Sequence, residues 1–199
     1  MTLACSQTGW AAASPAGAAA TETFSDETLM RRIARGDQFA MRTLYARYRV
    51  AIYRWLLRLV GEPTLAEELL SDVFLDVWRK AASFAGRSSV STWLLAIARH
   101  KALSARRRRT DVALDREIAY ALVDPADDPE LALEKKDREQ RLRHGLGRLS
   151  PEHSEVIDLA YYHGKSIKEI AEIVGINEAT VKSRAFYARR KLAQLVAGA

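Results

Sequence analysis

Between residues 123 and 129 the chain reads Val-Asp-Pro-Ala-Asp-Asp-Pro. Proline has no amide donor and clashes with the preceding helical turn, so two of them in this short span exclude a continuous helix. The aspartates favour solvated turns. Whatever folds must therefore fold on either side of this strap. Charge divides the chain at the same place. Residues 1–98 carry a net charge of +2, residues 99–109 a net +6 with no acid, residues 110–140 a net −6, and residues 141–199 a net +4. An acidic stretch between basic blocks has the pattern of a linker joining two domains that bind a polyanion. A chain of 199 residues has room for two small domains.

The first 24 residues are Ala-rich, hold no Lys or Arg, and read as a disordered tail. They lack the positive start and long apolar run of a secretory signal. With one cysteine, Cys5, and four scattered histidines, the chain has no zinc spacing and no disulfide of its own. No metal or cofactor is expected, the protein is expected in the reducing cytoplasm, and no segment is apolar enough for membrane insertion. Outside tail and linker the apolar periodicity is helical, and no strand pattern emerges. The expected fold is all-α: a helical bundle over residues 25–109, an acidic flexible linker over 110–134, and a helix-turn-helix domain over 135–199.

The last of these is spelled out locally. Ser150-Pro151-Glu152 opens a helix with a cap, a first-turn proline and an acid. Ser166 and Glu169 form a capping box, placing Ile167, Ile170, Ala171 and Val174 inward. Gly175 then supplies a left-handed turn and Asn177 caps a basic helix. A short helix, a Gly-containing turn and a basic helix make a DNA-reading unit whose second helix enters the major groove. Thr180, Lys182, Ser183, Phe186 and Tyr187 are placed to reach bases, while Arg184 and Arg190 suit phosphates. A solvated three-helix bundle is the plainer reading.

Two features mark the first domain. In AEELLSDVFLDVWRK, Leu69, Val73 and Val77 face a core, joined by Phe74 and Trp78. Glu68, Asp72 and Asp76 recur every fourth residue as an acidic ridge. Like charges at that spacing cost a few tenths of a kcal/mol per pair, about 0.2–0.5, which a basic partner surface would offset. A solvated helix face is the ordinary alternative. Further on, Ser88, Ser89, Trp93, His100, Lys101, Arg106 and Arg107 combine small polar, aromatic and basic groups, a mixture suited to single-stranded nucleic acid. Trp93 reads first as core, with contact to DNA the lesser alternative.

These stretches, with DETLMRRIARGDQFAMRTLYARY before them and LSPEHSEVIDLAYYHGKSIKEIAEIVGINEATVKSRAFYARRKL after, resemble the extracytoplasmic-function (ECF) group of bacterial RNA polymerase sigma factors. The resemblance covers residues 25–109 and 135–196, four segments in the family's order. It implies a transcription initiation factor without catalytic activity, whose partners are core RNA polymerase and promoter DNA. Glu68, Asp72 and Asp76 would meet a coiled coil of the polymerase β′ subunit, with the β subunit a further contact. The Gly86–Ser89 loop and the following helix, through Ser88, Ser89, Trp93, His100, Lys101, Arg106 and Arg107, would hold a flipped −10 base. Thr180, Lys182, Ser183, Arg184, Phe186, Tyr187 and Arg190 would read the −35 element. An anti-sigma factor covering both domains is implied as well. His100 stands where relatives often have Asn, Tyr187 where Arg is common and Ala179 where Gly is frequent, so base preferences do not carry over. A stand-alone helix-turn-helix regulator explains the C-terminal half equally well. An enzyme would need a phosphate loop, metal cluster or nucleophile–base pair, and the sequence offers none.

Overall fold

A computed structural model describes residues 24–110 and 148–197, which are helical with short connections and contain no strand. The tail and acidic linker expected from the sequence fall, but for Phe24 and Thr110, outside the described residues, as do residues 135–147. The helices are α1 (Asp26–Ile33), α2 (Gln38–Val60), α3 (Pro63–Lys80), α4 (Val90–Thr110), α5 (Pro151–Tyr161), α6 (Ile167–Val174) and α7 (Glu178–Ala197).

Each boundary has a local cause. α1 and α2 part at Gly36-Asp37. Gly36 takes φ 84°, a left-handed conformation that suits glycine. Asp37 then caps α2, accepting from the Ala40 N–H at 3.1 Å and from Arg32 Nε at 2.7 Å. Gly61, at φ 72°, ends α2, and Pro63 opens α3 where its missing N–H costs nothing. A 3-10 turn, Ala81–Ser83, follows α3. Ser89 caps α4 by accepting from the Thr92 N–H at 3.2 Å.

α1 to α4 close around Leu29, Ile33, Leu44, Trp55, Val73, Val77 and Leu94, each at most 2% exposed. Two expected inward residues point out, and so does Phe39, whose spacing from Leu29 and Ile33 continues their apolar run. Phe39 is 63% exposed because the Asp37 cap resets the helical phase and gives the inward positions to Ala40 and Leu44. Trp78 is 37% exposed, since Val73, Phe74 and Val77 fill the inner stripe of α3. Ile167, at the first position of α6, is 38% exposed, and Ile170, Ile173 and Val174 form the inner face instead. The Ser150 cap also differs: its backbone is extended as a cap requires, yet its hydroxyl pairs with His153 Nδ1 at 3.0 Å rather than with a backbone N–H.

In the second unit α5 is buried from Ser154 through Leu159, six consecutive residues and hence every face. A helix buried all round needs neighbours on all sides. α7 and α6 supply one side and the first unit supplies the other. α4 packs against α6, and Val156, Leu159, Ile170 and Val174 belong to the same apolar cluster as the core of α1 to α4.

Candidate nucleic-acid interface

The turn between α6 and α7 forms as its residues dictate. Ser166 Oγ accepts from the Glu169 N–H at 3.3 Å and the Glu169 carboxylate accepts from the Ser166 N–H at 3.0 Å, a complete capping box. Gly175 sits at φ 73°, and Asn177 Oδ1 accepts from the Thr180 N–H at 2.7 Å. Val181 and Ala188 anchor α7 inside. Lys182, Ser183, Phe186, Tyr187 and Arg190 are all exposed. At about 100° per residue they share an arc of about 140° on one side of the helix. Phe186 and Tyr187 are 58% and 57% exposed and stack edge-to-face at 5.6 Å. Thr180 and Arg184 flank the arc. The Thr180 hydroxyl is bonded to Asn177 at 2.8 Å. Half-buried Arg184 lies near Glu152, whose carboxyl is held below its usual range mainly by its own backbone N–H and by Ser150, with Arg184 adding to the effect.

The seven residues singled out around α4 do not form one patch. Trp93, His100 and Arg107 are spaced seven apart and lie along one stripe, with His100 and Arg107 exposed. Trp93 is half-buried against Phe84, ring centres 5.3 Å apart. Arg106 lies off that stripe and Ser88 stays half-buried in the preceding loop. Lys101 turns toward α3, with its Nζ 3.3 Å from Asp76 and 3.7 Å from Asp72. The acidic ridge is thus partly neutralised from within. Lys80 also reaches Asp76, at 3.0 Å. Partial burial pushes the Asp76 carboxyl up, but hydrogen bonds from Lys80 and Lys101 outweigh it and hold it below the usual range. Glu68 and Asp72 remain exposed.

Ser89 lies in a seam between the two units that the sequence reading missed. Lys165 Nζ donates to Ser91 Oγ at 2.6 Å, Thr92 Oγ1 at 3.1 Å and Glu169 at 3.1 Å. Glu169 also accepts from Thr92 Oγ1 at 2.7 Å and Ser89 Oγ at 3.2 Å. Partial burial pushes Glu169 up, yet the hydrogen bonds from Thr92, the Ser166 backbone and Lys165 win and bring it down to about 2. Two turns along α4, Arg99 grips Glu155 with two bonds, 2.5 and 3.3 Å. Deeper still, Arg58 Nε sits 2.7 Å from Asp158 Oδ1, an ion pair whose N–H is not aimed for a hydrogen bond. Burial pushes Asp158 up to about 6 against the pull of Arg58. His163 faces Arg58 Nη2 at 3.4 Å and stacks edge-on to Trp55 at 5.6 Å. Burial, with Arg58 and Lys165 close by, drives it down to about 4, so its ring is neutral at pH 7 and accepts from Arg58. The signal was present in the sequence: Glu155 and Asp158 interrupt the apolar stripe of α5 where a two-unit reading wants only hydrophobes. Among the described residues no cluster of His, Cys, Asp or Glu could hold a metal, and no helix is long and apolar enough to cross a membrane.

Residues 44–112 match the family model of sigma-70 region 2, and residues 139–192 match that of sigma-70 region 4. An ECF RNA polymerase sigma factor SigK from Mycobacterium sp. (strain KMS) is 35% identical over 162 residues, 79% of this chain and 83% of that protein. The chain belongs to the ECF RNA polymerase sigma factors. Another relative of this sigma factor, SigK of Mycobacterium tuberculosis (strain ATCC 25618 / H37Rv), is 33% identical over 171 residues, 83% of this chain and 90% of its own. Among solved structures, the sigma factor RpoE in complex with the anti-sigma factor NepR from Bartonella quintana has a TM-score of 0.62 at 27% identity, over 78% of this chain and 95% of that one. CnrH in complex with the cytosolic domain of CnrY shares the fold, with a TM-score of 0.63 at 24% identity over 87% and 97% of the two chains. Region 2 of this sigma factor thus runs from within α2 through α4, and region 4 takes in α5, α6 and most of α7.

Proposed function

We propose that this sigma factor binds core RNA polymerase in the cytoplasm, directs it to promoters and helps open the DNA, with no chemistry of its own. The observation that carries the reading is the pairing, in one chain, of a region 2 bundle and a region 4 helix-turn-helix whose second helix presents Lys182, Ser183, Phe186, Tyr187 and Arg190 to solvent. In this reading α7 lies in the major groove of the −35 element. Lys182, Ser183, Phe186 and Tyr187 touch bases, Thr180 and Arg184 border them, and Arg190 neutralises phosphate. The Trp93, His100 and Arg107 stripe, with Ser88, Ser89, Lys101 and Arg106 around it, receives the unpaired −10 strand. Glu68, Asp72 and Asp76 dock on a basic coiled coil of the polymerase β′ subunit, and the β subunit completes the contact. Residues 25–109 and 135–199 are the working domains and the acidic segment over 110–134 tethers them. An anti-sigma factor is the expected regulator, by analogy with the Bartonella complex.

The test is run-off transcription with purified core enzyme on a library of promoter fragments. The reading requires transcripts that start downstream of paired −35 and −10 sequences only when both this chain and core are present. DNA binding by the chain alone, with no effect on core enzyme, would make it a stand-alone regulator.

A further inference from the structure

Between α2 and α3 lies a groove of about 560 Å³, none of whose residues is among the polymerase or DNA contacts proposed above. Tyr45, Val50, Tyr53 and Leu70 give it apolar walls, and Arg49 and Arg54 bring two cations from α2. The acidic ridge of α3 turns the other way, toward Lys101 of α4. We propose that the groove is the docking site for a segment of this same chain, residues 118–130, which lie outside the described residues. The docking does not depend on the promoter-reading function.

Three observations carry it. The first is the chemistry of the groove. Tyr45 and Val50 are 40% and 46% exposed, and the Tyr45 ring is held edge-on to Phe74 at 4.8 Å. Glu67 and Ser71 stand on the α3 wall, so the positive charge lies on the α2 side alone. Such a surface suits a peptide with apolar side chains and acids on one stretch. The second is where the chain leaves the bundle. Arg109, one residue before the end of α4, pairs with Glu62, and Glu62 immediately precedes Pro63 at the end of the groove. The eight residues from Thr110 to Ile118 reach up to about 28 Å when extended. Along α2 the groove runs from Leu57 to Tyr45, about 18 Å at the helical rise, so the whole of it is within reach. The third is the make-up of the segment. Residues 118–123 read Ile-Ala-Tyr-Ala-Leu-Val, and residues 124–130 add four acids, Asp124, Asp127, Asp128 and Glu130, with no base among them. Arg107, Arg108 and Arg109 lie nearer, but these exposed residues offer charge without an apolar trough for Ile118, Tyr120 and Leu122. Exposed ion pairs contribute little, so the apolar contacts hold the segment and Arg49 and Arg54 orient its acids. Docked there, the acidic stretch is kept from competing with DNA for the basic run over residues 99–109.

The experiment places a nitroxide spin label at position 126 of the full-length chain, through Ala126→Cys with Cys5→Ser, and reads backbone amide signals by NMR. The amides of Tyr45, Arg49 and Val50 should lose their signals to the label, while those of Arg107, Arg108 and Arg109 keep most of theirs. Adding Tyr120→Ser with Leu122→Ser leaves every groove residue in place and should restore the groove signals. Arg49→Glu should restore them in part, since it reverses one charge and keeps the apolar walls. Signal loss centred on Arg107 to Arg109 or on α7, or spread evenly over the chain, overturns the proposal. So does a loss in the groove that the Tyr120 and Leu122 substitutions leave unchanged, and a full loss retained in Arg49→Glu overturns the charge pairing. A mixture of spin-labelled chain and isotope-enriched unlabelled chain identifies the occupant. Intact groove signals in the mixture are expected, and signals lost there would put a second copy in the groove and contradict the assignment to the chain's own segment.

Discussion

The recognition helix α7 and helix α4 both carry polar and cationic side chains, yet α7 holds its set together on one open arc while several of those on and before α4 are engaged by neighbouring elements. Lys182, Phe186, Tyr187 and Arg190 stand free on one arc, with Val181 and Ala188 holding the opposite side inside. On α4 and the loop before it, Ser89 is tied to region 4 and Lys101 to the acidic ridge. The contrast follows from how each element is anchored. α7 packs through small apolar side chains on a single face, whereas α4 lies between α2, α3 and α6 and meets charges on several sides. A basic or polar motif in a sequence reports what a surface can bind. It does not report whether the chain has already bound it.

That comparison can be broken or sharpened by substitution. The largest expected effect is at the ridge. Asp72→Lys with Asp76→Lys should abolish co-elution with core polymerase while leaving helix content unchanged by circular dichroism. Normal co-elution would show that the ridge serves only to neutralise Lys101 and Lys80. Next in size is Asp158→Ala, which strips Arg58 of its counter-charge. Stranding a buried arginine costs about 3–5 kcal/mol. If the seam opens instead, Arg58 rehydrates and the loss stays below that range, with an expanded chain in scattering. A loss of the full amount in a still-compact chain would mark the seam as permanent. Lys182→Ala and Tyr187→Ala should each change −35 preference by about 1–3 kcal/mol in a promoter library. Preference unchanged by either variant would remove those residues from base reading.

The smallest effect is in pH. Asp158 is faced by Arg58 from α2, by Glu155 on its own helix and by His163, which Lys165 also approaches. Its value, raised to about 6, gives the packed seam stability that is complete below about 3.8 and is lost as pH climbs through 6. His163, lowered to about 4, contributes in the opposite sense: its share is complete above 6.5 and is lost as pH falls through 4. Between pH 4 and 6 the two slopes nearly cancel, because packing the seam moves one proton from the imidazole to the carboxyl. Compactness of the wild type should be flat over that window. His163→Gln removes one slope, so its seam should weaken with rising pH, by at most about 1.4 kcal/mol per unit. A parallel pH response in wild type and variant would contradict this proton exchange.

Much of the fold was legible. Gly36-Asp37, Gly61-Glu62-Pro63, Ser166 to Glu169 and Gly175 to Asn177 fix helix ends through local bonds and backbone preference, and such rules act within a few residues. The α7 arc was legible too, since helical period alone separates Val181 and Ala188 from Lys182 and Tyr187. The seam was not, because its bonds link residues such as Thr92 and Glu169 that no local rule connects. Glu169 was read as a cap, which it is, and its second role depends on α4 arriving beside it. The same holds for Lys101, whose partners lie on another helix.

The central claim is that regions 2 and 4 hold two promoter elements at once while mounted on core polymerase. Hydroxyl-radical footprinting of a responsive promoter tests it most directly. With chain and core together, protection should appear at two patches about 85 Å apart along the duplex, around −35 and −10, with neither patch formed by the free chain. A −35 patch made by the free chain and unaltered by core would contradict the claim.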